Sequence, residues 1–107
     1  MASKNLMSID DANFDDEARA SELPLLVEFG ARWCGPCKVL LPILERLAAE
    51  NVGRVRVAET DIDESPGLAK RFGIRGAPTV VVFRGGVEVA RQLGVTSRAR
   101  LLEMLRL

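Results

Sequence analysis

The chain contains no histidine and no tyrosine among its 107 residues. The first absence removes the commonest general base, every cysteine–histidine or serine–histidine couple, and the commonest transition-metal ligand. Any catalysis must then come from thiols, carboxylates, lysines, arginines or backbone groups. An excess of one charge is also lacking: 15 Lys plus Arg balance 15 Asp plus Glu, for a formal net charge of zero. Nothing global draws such a chain to nucleic acid or to an anionic membrane. No apolar run nears the roughly 18 residues that a membrane-crossing helix requires. The start, MASKNLMSIDD, lacks the apolar core of a secretory signal, so a cytoplasmic protein is expected. With 48% hydrophobic and 28% charged residues, a single domain over residues 1–107 is expected, and no heptad or repeat argues against a monomer.

Cysteine is scarce as well, but the only two, Cys34 and Cys37, stand together in RWCGPCK, residues 32–38. Their surroundings follow from periodicity. Residues 9–20 read as a helix capped by Asp10 or Asp11, with Phe14 and Ala18 in i, i+4 contact. Pro24 to Phe29 is short and almost wholly apolar, as in a strand covered on both faces. From Cys34 the apolar spacing turns helical through Val39, Leu40, Ile43, Leu44, Leu47 and Ala48, with Pro42 expected to kink the helix. Residues 53–60 alternate as a strand does. Ser65-Pro66 opens another helix, which Gly73 closes. Ala77 to Phe83 is the most β-prone stretch, and Gly85-Gly86 forms a two-residue hairpin turn into Val87 to Leu93. Thr96 or Ser97 caps a last helix bearing Leu101, Leu102 and Leu105. The order α, β, α, β, α, β, β, α predicts one α/β sandwich: a mixed sheet with helices on both faces.

Cys34 thus follows a strand and a turn and opens a helix. The first N–H groups of a helix lack internal partners, and the helix dipole places partial positive charge there. Both stabilise a thiolate, the nucleophilic form of cysteine. Cys37 lies one helical turn on, where its sulfur can close a small ring with Cys34. Gly35 permits close approach by a partner, and Pro36 in the first turn has no N–H to waste. By position Cys34, at an exposed helix tip, attacks a substrate disulfide, and Cys37, one turn deeper, resolves the mixed disulfide. Two other readings exist. A static bridge across two residues constrains the unfolded chain very little. A metal half-site needs two more soft ligands, which only a dimer sharing four cysteines supplies. C-x-x-C beside a βαβ pattern favours redox chemistry over both.

The motif Trp33-Cys34-Gly35-Pro36-Cys37-Lys38 resembles the active site of the thioredoxin family. The resemblance runs over essentially the whole chain, through LLVEFGARWCGPC, PILERLAAE, DIDESPGLAKRFGIRGAPT and VFRGGVEVARQLG. It implies a thioredoxin fold: a central sheet of four to five strands flanked by four helices. It implies dithiol reduction of protein disulfides, with no cofactor or metal bound and electrons from NADPH through thioredoxin reductase. It further implies a cis bond between Ala77 and Pro78 beside Cys34, where the residues alone favour an ordinary trans proline at a strand start. Trp33, Ile62, Gly76, Ala77, Pro78, Leu93 and Gly94 match the family's flat docking surface for an extended substrate. From another class comes a thioredoxin-fold binding or assembly module, whose function would survive loss of both cysteines.

Three residues depart from the family pattern. Glu28 stands inside the apolar strand where the family has a buried aspartate that moves protons for the deeper thiol. A buried carboxylate is costly unless protonated or hydrogen-bonded, and glutamate reaches about 1.5 Å further than aspartate. Gly30 replaces a bulky aromatic, so the two changes are expected to be coupled, the glycine leaving room for the longer acid or a water. The contrary expectation is a Glu28 that faces solvent. Glu59 replaces a lysine that many bacterial relatives pair with the acid, so Glu59 should turn outward or be offset by a base elsewhere. Lys38 either adds local positive potential or stands solvated.

Overall fold

The computed structural model describes residues 5–107. The four residues before them, part of the start read for a secretory signal, lie outside the described residues. The chain runs β1 (Met7–Ser8), α1 (Phe14–Arg19), β2 (Leu25–Gly30), α2 (Gly35–Glu50), β3 (Arg56–Asp61), α3 (Pro66–Arg71), β4 (Thr79–Arg84), β5 (Val87–Leu93) and α4 (Arg98–Leu105). The strands form one sheet in the order β1-β3-β2-β4-β5. β1, β3 and β2 are parallel, and β4 and β5 join antiparallel. This is the mixed, helix-flanked sheet of a thioredoxin fold.

β2 is the central strand, and all six of its residues are buried. Strand alternation therefore supplies two cores rather than one. On one face Leu26, Val57, Val80 and Val82 pack against Leu40, Leu44 and Leu47 of α2 and Leu101, Met104 and Leu105 of α4. On the other, Leu25, Val27, Phe29, Val81 and Phe83 meet Phe14 and Ala18 of α1 and Leu68 of α3. Here Phe14, Phe72 and Phe83 form a mutual edge-to-face trio with ring centroids 5.0–5.1 Å apart. The Arg71 guanidinium closes it from outside, 5.2 Å from the Phe14 centroid and 5.0 Å from that of Phe72.

The connections explain the sharp element ends. Gly85 and Gly86 both take positive φ, 60° and 82°, as a two-residue hairpin with right-handed strand twist requires. Gly73, at φ 62°, ends α3: its N–H bonds the Lys70 carbonyl, and that of Ile74 reaches back to Ala69. Ser97 caps α4 by accepting from the Arg100 N–H at 3.1 Å.

Three expectations need correction. The first helix is shorter than residues 9–20, because the Asp10 carboxylate accepts the N–H groups of Ala12 (2.9 Å) and Asn13 (2.8 Å), holding a turn in place of helix. Ser65 precedes α3 but its hydroxyl does not cap it. Asp11 does so instead, from the far end of the chain, accepting from Gly67 (3.1 Å) and Leu68 (2.8 Å). Strand β1 was absent from the order read off periodicity, since two residues carry no alternation. Pro42 lies inside α2 without ending it.

Candidate active site

β2 ends at Gly30, and three residues, Ala31 to Trp33, deliver Cys34 to the N-cap of α2. Cys34 has an extended backbone (φ −87°, ψ 106°), and its sulfur accepts from the Cys37 N–H at 3.1 Å. The helix therefore points an otherwise orphan donor at this sulfur. Pro36 occupies the first turn, where no N–H is missed. Cys34 and Cys37 are joined as a disulfide with Cα atoms 5.3 Å apart. Neither sulfur-bearing residue is an exposed tip: Cys34 is 2% exposed and Cys37 5%, the reverse of the predicted order. The reason is packing, since Ala31, Ile62 and Ala77 close over the bridged pair. Gly35 and Pro36, by contrast, are exposed.

The other residues that the resemblance assigns to docking gather around this bridge. The Ala77–Pro78 bond is cis, so the residues alone misled where the resemblance did not. Pro78 is buried, and its carbonyl accepts the Gly94 N–H at 2.8 Å, tying the end of β5 to the proline turn. The Thr79 hydroxyl donates to the Gly76 carbonyl at 2.6 Å, and Gly76 lies against Leu93, whose Cδ1 would be 3.2 Å from a Cβ there. Trp33 is 67% exposed and Leu93 62%, so two large apolar side chains stand in solvent at the rim. The indole is not loose: its Nε1–H donates to Asp63 at 2.7 Å. Asp63 was not among the residues read from sequence, and no local pattern marks it, since the two are 30 positions apart.

Beneath α2, Leu26, Glu28 and Gly30 face the helix, as do Val57, Glu59 and Asp61 of the neighbouring strand. Glu28 is 1% exposed, so it does not face solvent. Its carboxyl folds back over Gly30: a Cβ on that glycine would collide with Oε2 and lie 3.0 Å from Cδ. The coupling between the longer acid and the missing side chain is steric. Oε2 has no hydrogen-bond partner among the described residues. Burial above all, then the like charges of Glu59 and Asp61, push the Glu28 carboxyl up to about 8. Glu28 is thus a neutral acid at pH 7.

Glu59 pairs with Glu28 in the β2–β3 register. It does not turn outward, being 3% exposed, and among the described residues no base pairs with it and its Oε2 has no partner. Burial raises its carboxyl as well. Asp61 also went unnoticed in the sequence, although E-T-D places it on the same face as Glu59. Lys38 is exposed on the outer side of α2.

A redox-active pair at a helix N-terminus, a cis-proline turn against it and a neutral acid below it form a site for thiol–disulfide exchange. Comparison with known proteins agrees. The family model described as Thioredoxin matches residues 5–106. The thioredoxin of Allochromatium vinosum is 39% identical over 103 residues, covering 96% of this chain and 96% of its own. That of Acidithiobacillus ferridurans is 41% identical over 100 residues, covering 94% and 93%. That of Rickettsia felis is 38% identical over 98 residues, covering 92% and 93%. With the match extending from β1 to the end of α4 and the C-x-x-C pair bridged at its centre, the chain belongs to the thioredoxin family as a thiol–disulfide oxidoreductase.

Proposed function

We propose that the protein reduces disulfides in other proteins, with Cys34 as the attacking thiolate and Cys37 as the resolving thiol. The observation that carries this reading is the Cys37 N–H aimed at the Cys34 sulfur, at the N-cap of a 16-residue helix. In the reduced protein the same donor and the helix dipole favour a thiolate at Cys34 over one at Cys37.

The cycle balances as follows. The Cys34 thiolate attacks one sulfur of the substrate disulfide; that bond breaks, and the other substrate sulfur leaves as a thiolate that takes a proton from solvent. Cys37 then gives its proton to the ionised fraction of Glu28 and attacks the Cys34 sulfur. The mixed disulfide breaks, the second substrate thiol is released, and two electrons have left the protein as the Cys34–Cys37 bridge. Recharging reverses these steps, and neutral Glu28 returns the proton to the departing Cys37 sulfur. The electrons come from NADPH through a thioredoxin reductase.

Trp33, Ile62, Gly76, Ala77, Pro78, Leu93 and Gly94 form the surface on which an extended substrate segment docks. The exposed apolar rim supports this, together with the flat backbone that glycine offers at positions 76 and 94. Gly35 and Pro36 set the geometry of the ring and hence tune its potential. A reducing compartment, the cytoplasm, suits such a cycle, and a monomer leaves the docking surface free. The test is NADPH oxidation coupled through a thioredoxin reductase to a disulfide-bonded protein. Wild type is expected to turn over and Cys34→Ser to be inactive. Equal activity of the two would refute the assignment, and binding of partners without turnover would favour a docking module.

A further inference from the structure

Two buried carboxyls lie side by side in this sheet, and the thiol chemistry uses only one. Glu28 and Glu59 are register partners on adjacent parallel strands, whose axes lie about 4.8 Å apart. Both face α2, both are at least nine-tenths buried, and each has an Oε2 with no partner among the described residues. They differ in access. Glu28 folds back over Gly30 at 1% exposure, whereas Glu59 lines a polar cavity of about 330 Å³ with Ser8, Asp10, Arg32, Asp61 and Glu64.

We propose that Glu28 and Glu59 hold one proton between them, Glu59 being the positioning residue that keeps it on Glu28 and the cavity being its route to solvent. Two like charges this close in a poorly hydrated layer repel strongly, so the pair ionises in two separated steps. The better-hydrated member, at the cavity, ionises first. Its charge then holds the proton on the more deeply buried member, the one the thiol chemistry uses.

Among the described residues the surrounding charges are negative beside both members, so the order rests on access to the cavity. Around Glu28 stand Asp61 of β3, a further negative charge, and the apolar Val80 of β4. Around Glu59 stand Ser8 of β1 in register and Glu45 of α2, whose carboxylate accepts from Asn5. Arg32, which also lines the cavity, is engaged with Glu64 at 3.2 Å. No lysine or arginine forms a salt bridge with either glutamate among the described residues.

The proposal rests on the Cys34–Cys37 cycle only for its purpose; the pair can be detected without turnover. Oxidised wild type, labelled with ¹³C at glutamate Cδ, would be titrated from pH 4 to 10 by NMR. Both Cδ signals are expected to show the same two inflections, the signature of a coupled pair. One independent inflection for each would overturn the proposal. As a second reading, the pH profile of disulfide reduction would be measured for Glu59→Gln and Glu59→Asp. The glutamine variant is expected to shift the Glu28 inflection to lower pH by on the order of 1 unit, and the aspartate variant to restore it. An unmoved inflection in the glutamine variant would also overturn it. Should that variant fail to fold, the wild-type titration decides alone.

Discussion

Replacing Glu28 by glutamine should stabilise the protein, and by an amount that grows with pH. In the folded chain the carboxyl is raised from 4.5 to about 8, first by burial and then by Glu59 and Asp61. The native state therefore binds a proton that the unfolded chain has released throughout the interval between those values. Stability changes with pH in proportion to the protons bound by the unfolded state minus those bound by the native state, and this difference is negative here. The contribution of Glu28 is thus fully present below about 4.5 and is lost as pH rises through the folded value near 8. At about 1.36 kcal/mol per pH unit, the loss is roughly 3 kcal/mol at pH 7 and about 5 kcal/mol above pH 8. With the side chain 1% exposed, little of this is screened by solvent. A glutamine has nearly the same shape and no charge to bury. Any cost of its unpaired amide is the same at every pH, so the slope is diagnostic and the offset is not. The assay is urea unfolding of both oxidised proteins at pH 5, 7 and 8.5, where cysteines do not titrate and the other carboxylates largely cancel in the difference. The stability gap should open by several kcal/mol across this range. A gap that stays constant would show that Glu28 is not a buried, proton-holding acid.

Two further predictions follow from contacts that span the chain. Asp11→Ala removes the acceptor for two N–H groups at the start of α3 and should lower stability by about 1–2 kcal/mol, read from the urea midpoint at unchanged slope. No loss would mean that water replaces the cap at no cost. Trp33→Ala strips the largest exposed apolar group beside the bridge and should raise KM for a protein disulfide by about tenfold while leaving reaction with a small dithiol unchanged. Equal effects on both substrates would place Trp33 in the chemistry rather than in docking.

Local chemistry explains what was legible in the sequence. The apolar runs of β2 and β4, the Gly85-Gly86 turn, the Gly73 terminus and the Cys34 helix start each depend on residues close in sequence, and each stands where expected. The Glu28–Gly30 coupling was readable because both residues depart from the family pattern and stand two apart on one strand face. What escaped depends on distant partners. Asp11 caps a helix 56 positions away, and Asp63 anchors an indole 30 positions away. Burial of Cys34 arises from Ile62 and Ala77, which only the folded chain brings to it. Glu59 was expected to escape or to find a base because an isolated pair of buried carboxylates is costly. The register of β2 against β3 instead sets the two carboxyls side by side, the arrangement from which the shared proton is proposed.

The division of labour between the thiols is tested most directly by trapping. Reduced Cys37→Ser, incubated with a disulfide-bonded protein, would be weighed intact before and after a reductant is added. The account predicts a stable, reductant-sensitive adduct through Cys34, and none for Cys34→Ser. An adduct formed by Cys34→Ser through Cys37, with none from Cys37→Ser, would contradict it.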